Sequence, residues 1–175
     1  MSGRSVGAIG AILERLGIDW TLMGALAANR YRREVRLTGD VDLLIASHGP
    51  GLAALEGAFA AAGWTVRRGT PDGAILRLRH EALGAADLVL AETDYQRMAL
   101  ERAQAETIEG GARVPVLRVE DVVVHKLIAG RPRDLDDIAE ILATGRPLDE
   151  SYVERWARYW DALPLWRRLR EAAPS

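Results

Sequence analysis

The sequence of 175 residues contains no cysteine, only one lysine and no long apolar run. Without cysteine the chain has no disulfides and no thiolate chemistry, which is consistent with the cytoplasm, where we expect the protein. Because no apolar stretch reaches about 18 residues, we expect no membrane span and no membrane partner. Glu14 and Arg15 interrupt the first apolar segment, so we expect no signal peptide.

The composition that remains is that of an ordinary globular protein. Hydrophobic residues make up 49% and charged residues 27% of the chain. A net charge of -2 argues against a generally basic nucleic-acid binder but leaves room for a local basic patch. The length predicts one domain, 1–175, with a sheet core over 18–118 and a helical part over 119–175.

Apolar periodicity and turn residues predict an α/β (α+β) fold with a small mixed sheet and packed helices. The expected strands are 18–23, 42–46, 64–68, 74–79, 87–90, 107–109 and 113–117. Helices are expected over 5–16 and 25–32, from Leu52 to before Gly63, from Asp94 to Ala103, from Val119 to before Gly130, from Asp134 onward, and near the end of the chain.

Two carboxylates, Asp40 and Asp42, stand one residue apart at the start of the apolar run 43–45. In a strand, side chains two apart lie on the same face, about 7 Å apart at their Cα atoms. Like charges so placed repel each other, and a bound divalent cation relieves that repulsion. Because Asp also favours turns, a turn role for Asp40 stays open, as it does for Asp87 at the start of a later strand.

Gly24-Ala25, a short helix and then Arg36-Leu-Thr-Gly-Asp40-Val-Asp42 form the first of two motifs. This arrangement resembles the minimal nucleotidyltransferases of the DNA polymerase β superfamily, and it looks most like the AbiEii-like toxins of type IV toxin–antitoxin systems. A second motif of that subgroup follows in the same order, with Lys126, Arg131 and the run 133–137. The resemblance covers about residues 18–145.

The resemblance implies a nucleotidyltransferase core that transfers NMP from an NTP to an acceptor hydroxyl and releases pyrophosphate. It implies RNA, tRNA included, as the acceptor, and an antitoxin protein as partner. It implies Mg²⁺ (or Mn²⁺) held by Asp40, Asp42 and Asp87, the last of which could also deprotonate the attacking hydroxyl. The implied nucleotide-binding residues are Gly24, Ala25, Thr38, Lys126, Arg131 and Asp134, with Lys126 on the triphosphate and Asp134 orienting that lysine.

The basic residues and the aromatic residues each allow two interpretations. Lys126, beside an apolar helical stripe, either snorkels to water or turns into a cleft. The arginines at 30, 32, 33 and 36 form a solvated face or a phosphate-contacting rim. Those at 67, 68, 77 and 79 line an ordinary outer face or a track for a polyanionic acceptor. The aromatic stripe at 152, 156, 159 and 160 is expected in the core or at an interface rather than stacked on bases.

Other functions also remain open at this point. Ala25 has no hydroxyl to offer a phosphate, so the chain could keep the fold and act as a non-catalytic binding protein. Against that, all three expected carboxylates are present. A metal-dependent nuclease is a weaker alternative, because its usual Glu-x-Lys is missing: Val124 stands two residues before Lys126. For Asp134, capping of a helix is a sufficient structural role.

Overall fold

The computed structural model describes residues 2–47, 49, 51–108 and 111–173. The chain divides into two compact units. The first unit consists of Met1–Met23 and Leu37–Leu117, and the second of Gly24–Arg36 and Arg118–Ser175. Within the described ranges, no helix has both the length and the apolar character needed to cross a membrane.

The described residues form seven strands and eight helices. The strands are β1 (Trp20–Leu22), β2 (Asp40–Ala46), β3 (Thr65–Arg68), β4 (Ile75–His80), β5 (Gly84–Ala91), β6 (Gln104–Thr107) and β7 (Arg113–Val116). The helices are α1 (Ser2–Arg15), α2 (Gly24–Ala28), α3 (Leu52–Ala61), α4 (Asp94–Glu101), α5 (Val119–Ala129), α6 (Pro132–Leu142), α7 (Glu150–Tyr159) and α8 (Leu163–Ala172).

All seven strands lie in the first unit, in one sheet with the order β3-β4-β5-β2-β1-β7-β6. β2 pairs with β5 and β1 with β7 in parallel, and the other neighbours are antiparallel, so the predicted mixed sheet is confirmed. Leu43, Leu44 and Ile45 of β2 are all fully buried. A run that is apolar on both faces is typical of a central strand, which is where β2 lies.

Helix α1 shows how local sequence sets the packing of this unit. Its apolar residues Val6, Ile9 and Leu13 recur at helical spacing and are fully buried. Gly10 lies against the ring of Trp20, leaving no room for a side chain at that position. Helices α1 and α4 both contact β2, so the predicted N-terminal helix packs on the core as expected.

The second unit is helical, with α2, α6 and α7 packed on α5. α5 ends at Gly130, whose φ of 60° is a left-handed conformation that glycine adopts without strain. Of the aromatic stripe, Trp156 is buried as expected of a core residue, Tyr152 and Trp160 are partly buried, and Tyr159 is 67% exposed.

Three predicted local features differ from the structure. The helix expected over 25–32 ends at Ala28, because the Asn29 side chain binds the backbone of Arg36 through Nδ2 at 2.8 Å and Oδ1 at 3.0 Å. The helix expected from Asp94 to Ala103 ends at Glu101, and it is capped at its start by Thr93 through a capping box with Gln96. The strand expected over 107–109 lies earlier, as β6, and residues 109 and 110 are outside the described ranges.

Candidate active site

The three predicted carboxylates lie on neighbouring strands of the first unit. Asp42 of β2 is the register partner of Asp87 of β5, and Asp40 is the partner of Ala85. Partners on adjacent strands are about 5 Å apart and point to the same face, and so do residues two apart in one strand. Asp40, Asp42 and Asp87 therefore share one face of the sheet, which we call the carboxylate face.

The electrostatics of this face centre on Asp87, which is half-buried. Burial raises the pKa of the Asp87 carboxyl, and the charge of Asp40 raises it further, while Arg77 and Arg79 on the next strand act in the opposite direction. The net result is a pKa above the usual value for aspartate. Asp87 thus experiences the charge of a neighbouring carboxylate, which is the repulsion that a cation would relieve.

The donor chemistry of the face fits a hard divalent cation, because Mg²⁺ prefers carboxylate oxygens and is commonly held by one or two of them. Across the described ranges, however, no three His, Cys, Asp or Glu side chains are grouped closely enough to hold a metal ion. The carboxylates are neighbours on the sheet rather than a preformed cage. Their role as metal ligands therefore stays a prediction.

Lys126, in the second unit, is buried with 4% of its surface exposed. Its ammonium lies 2.5 Å from Asp137 Oδ2 and 3.4 Å from Asp134 Oδ1, and both carboxylates are buried. The snorkelling alternative is therefore wrong. The nearer partner is Asp137, whereas the resemblance implied Asp134 as the residue that orients this lysine.

Asp137 also binds Arg32 and Arg36, which precede Asp40 and Asp42 in the chain. Arg32 Nη1 donates to Asp137 Oδ1, and Arg36 Nη2 donates to Oδ2 at 3.3 Å. The side chain of Arg32 is 11% exposed and that of Arg36 is 35% exposed. The solvated-face prediction is thus wrong for Arg32, whereas Arg36 is partly exposed and Arg30 and Arg33 are exposed as expected.

Together these side chains form what we call the cation cluster: Arg32, Arg36, Lys126, Arg131, Asp134 and Asp137. Its four cations and two carboxylates leave a formal charge of +2. The Nε atoms of Arg32 and Arg36 are buried and have no hydrogen-bond partner among the described residues. Buried donors without a partner are unfavourable, and the net positive charge of the cluster favours an anion.

Asp134 does not cap α6, because the N-cap position is Arg131 and Asp134 lies within the first turn. Its carboxylate accepts hydrogen bonds from Arg131 Nε at 2.5 Å and Nη2 at 3.3 Å. Burial alone would raise the pKa of Asp134, but the hydrogen bonds and positive charges of Arg131 and Lys126 outweigh it and hold the pKa below its usual value. The capping interpretation is therefore wrong, and Asp134 stays ionised as part of the cluster.

The remaining predicted nucleotide-binding residues are placed as follows. Gly24 begins α2 with a φ of 65°, a conformation that favours glycine. Ala25 is buried, and α2 has only five residues, which is shorter than the helix expected to receive a phosphate. The Thr38 hydroxyl donates to the backbone oxygen of Asp40 at 3.4 Å. The nucleotide-binding roles of these residues stay predictions.

The sequence alone assigned no role to Asp137 and did not indicate that Arg32 and Arg36 bind it. Asp137 is 105 residues from Arg32, so no local spacing connects them. The one available signal was that Arg36 and Asp137 each fall within a motif of the AbiEii-like resemblance.

No family model matches the sequence, and no curated protein matches it. Solved structures do resemble it. The antibiotic-resistance factor ANT(2'')-Ia in solution is 13% identical, with a TM-score of 0.64 over 98% of each chain. An antigenic nucleotidyltransferase-like protein from Paracoccidioides brasiliensis is 19% identical, with a TM-score of 0.56 over 96% of this chain and 91% of that one.

A third structure, the lincosamide antibiotic adenylyltransferase LnuA with lincomycin bound, is 14% identical, with a TM-score of 0.56 over 79% of this chain and 94% of that one. Likeness at such identities is informative about the fold. The chain has the fold of the nucleotidyltransferases.

Proposed function

We propose that the protein is a metal-dependent nucleotidyltransferase that transfers NMP from an NTP to an acceptor hydroxyl and releases pyrophosphate. The observation that carries the proposal is the register of β2 and β5, which sets Asp42 beside Asp87 on the face that also bears Asp40. Three carboxylates on one face of a nucleotidyltransferase fold supply the donors for Mg²⁺ or Mn²⁺, with Asp42 and Asp87 as register partners and Asp40 completing the set. When bound, such an ion would polarise phosphate oxygens and neutralise developing charge.

Asp87 has a second role in the proposal, as the base that takes the proton of the attacking hydroxyl. A general base works best when its pKa lies near the working pH, and burial together with Asp40 moves the pKa of Asp87 in that direction. The base also has to lie within hydrogen-bond reach of the hydroxyl. The acceptor is therefore expected to present its hydroxyl at the β5 side of the carboxylate face.

The cation cluster supports a role in binding the triphosphate. Phosphoryl transfer depends on positioning and on neutralising the charge of the phosphates. Lys126 provides a point charge, and Arg32 and Arg36 provide planar donors with buried Nε atoms that have no partner in the described chain. Arg131, bound to Asp134, adds a charge at the exposed edge of the cluster. In this proposal Gly24, Ala25 and Thr38 contact the nucleotide as well.

The finer parts of the proposal rest on the AbiEii-like resemblance. It supports RNA, tRNA included, as the acceptor, an antitoxin protein as partner, and a role as the toxin of a toxin–antitoxin pair in the cytoplasm. A non-catalytic binding protein of the same fold is the alternative, and the presence of all three carboxylates favours the enzyme.

The test is to incubate the protein with each α-³²P-labelled NTP, Mg²⁺ and total cellular RNA, and to measure label in the RNA. We expect labelling by the wild type and none by Asp42→Asn, with unchanged circular dichroism. Asp94→Asn is the matched control, because that carboxylate belongs to the same unit and its side chain is 92% exposed. Undiminished labelling by Asp42→Asn would remove the carboxylate face from the mechanism.

A further inference from the structure

The carboxylate face continues across two more strands as a row of arginines. On β4, Arg77 is the register partner of Asp87, and Arg79 is the partner of Ala85. On β3, Arg67 is the partner of Arg77. Since register partners share a face, Arg67, Arg77 and Arg79 lie on the same face as Asp42 and Asp87. We call these three residues the arginine strip.

The sequence had placed Arg68 with these arginines, and the register corrects that. Arg68 is next to Arg67 in β3, so it points to the opposite face, where its Nε lies 3.0 Å from Glu56 Oε1 of α3. The hairpin therefore carries three arginines on the carboxylate face and one on the face that packs against a helix. This difference supplies a control for experiments on the strip.

The arrangement of the strip is unfavourable without a ligand. Arg67 and Arg77 are directly opposite on antiparallel strands, and like charges so placed destabilise a sheet. All three side chains are exposed, and none forms a salt bridge with a described residue. Arg77 has the carboxylate of Asp87 as its neighbour on the other side. Arg67 and Arg79 have no carboxylate as register partner, and Arg79 also interacts electrostatically with Asp87, so Arg67 is the arginine of the strip whose charge is least compensated.

We propose that the arginine strip binds the phosphodiester backbone of a single-stranded RNA acceptor and delivers its terminal hydroxyl to the carboxylate face. This inference rests on the proposed function for the reacting end and for RNA as the acceptor, and it adds the surface that would hold the phosphates of that RNA. The row runs over four adjacent strands, so Arg67 lies about 10 Å from the Asp87 strand at the Cα level. Phosphates close to the reacting end of the RNA would therefore lie on the strip.

The chemistry of the strip also predicts how RNA is recognised. The residues that share the face on β3 and β4 are Thr65, Arg67, Ile75, Arg77 and Arg79, none of them aromatic. Without an aromatic platform for base stacking, contacts fall on phosphates, which carry no sequence information. Binding is thus expected to be independent of sequence and sensitive to salt. A polycationic acceptor such as an aminoglycoside would be repelled by the same surface.

The experiment measures binding of a fluorescently labelled single-stranded RNA by anisotropy, without NTP and with EDTA, so that the result does not depend on transfer. For single strands, each phosphate contact adds about 0.7 to the slope of log K against log salt concentration. Loss of one contact should therefore weaken RNA affinity about fivefold at about 0.1 M salt, which is the expected result for Arg67→Gln. Loss of two contacts, in Arg67→Gln with Arg79→Gln, should weaken it about 25-fold. Arg68→Gln, with the same change in charge on the neighbouring residue, should bind as the wild type does.

The outcomes separate this inference from the proposed function. The proposed role of the arginine strip would be overturned by any of three results: equal losses of RNA affinity in Arg67→Gln and Arg68→Gln, no loss in the double variant, or no RNA binding by the wild type. Transfer of label to an aminoglycoside, undiminished in the double variant, would overturn the strip and keep the nucleotidyltransferase. If the wild type and the variants bind RNA as expected but no label is transferred from any NTP, the role of the arginine strip would be supported and the proposed function would be refuted. Melting temperatures check folding, and relief of the Arg67–Arg77 repulsion should leave them unchanged or raised.

Discussion

Asp137→Asn is the substitution that best tests the cation cluster. In the wild type the Asp137 carboxylate is 1% exposed and binds Lys126, Arg32 and Arg36. The asparagine side chain has nearly the same shape, but it carries no charge and only one acceptor oxygen. Lys126 would keep only Asp134, at 3.4 Å, as a charged partner, and Arg32 would lose the only ion pair that the structure shows for it.

The cost follows from leaving buried cations without compensation. Removing one partner of a buried ion pair lowers the free energy of unfolding by about 3–5 kcal/mol. Asparagine keeps one acceptor and Lys126 keeps Asp134, so we expect about 3 kcal/mol for Asp137→Asn. Asp134→Asn should cost less, because its close partner Arg131 has a side chain that is 55% exposed and can be solvated. Asp136→Asn, an exposed neighbour, should change the free energy of unfolding by less than about 0.5 kcal/mol.

Urea denaturation followed by circular dichroism measures all three variants. The expected order of destabilisation is Asp137 first, then Asp134, then Asp136. Lys126→Met combined with Asp137→Asn provides a further check, since the two changes remove opposite charges of one pair and should cost less than the sum of the single variants. A loss no larger for Asp137→Asn than for Asp136→Asn would mean that Asp137 does not hold these cations, and the cluster as described would be refuted.

Three further predictions concern other parts of the chain. The pKa of Asp87 is raised in the folded state, so the stability that Asp87 contributes is present below its unfolded pKa and is lost as the pH rises through its folded pKa. Asp87→Asn, which stays neutral, should therefore raise the urea midpoint at about pH 7 and lose that advantage towards about pH 4. A lowered urea midpoint at neutral pH would contradict this prediction. Lys126→Ala should raise the Kd for NTP by about 10- to 100-fold in calorimetry, as expected for loss of a hydrogen bond from a charged group, and an unchanged Kd would exclude Lys126 from triphosphate binding. Gly10→Ala should lower the free energy of unfolding by about 1–3 kcal/mol in thermal unfolding, because the new methyl group collides with Trp20. Gly7→Ala, in open space on the same helix, should raise the free energy of unfolding by about 0.5–1 kcal/mol. Equal effects of the two substitutions would show that the Trp20 contact is unimportant.

Much of the fold was predictable because it depends on local patterns. The hairpin of β3 and β4 follows from alternation around the turn at 69–73, and the pairing is confirmed. The apolar run of β2 predicted a buried strand, and that strand lies at the centre of the sheet. Errors arose where side chains compete with the backbone, as at Asn29, which ends α2 after five residues.

The sequence by itself determined that Asp40 and Asp42 share a face if both lie in a strand, because the period of a strand is fixed by backbone geometry, and the structure begins β2 at Asp40. It also determined that the motifs carrying Arg36 and Lys126 resemble those of a nucleotidyltransferase. Only the tertiary structure decided that Asp87 lies beside Asp42, that Arg67 and Arg77 extend the same row, and that Asp137 rather than Asp134 is the closer partner of Lys126. Strand register and buried ion pairs depend on where segments far apart in the chain meet, and no local spacing encodes that meeting.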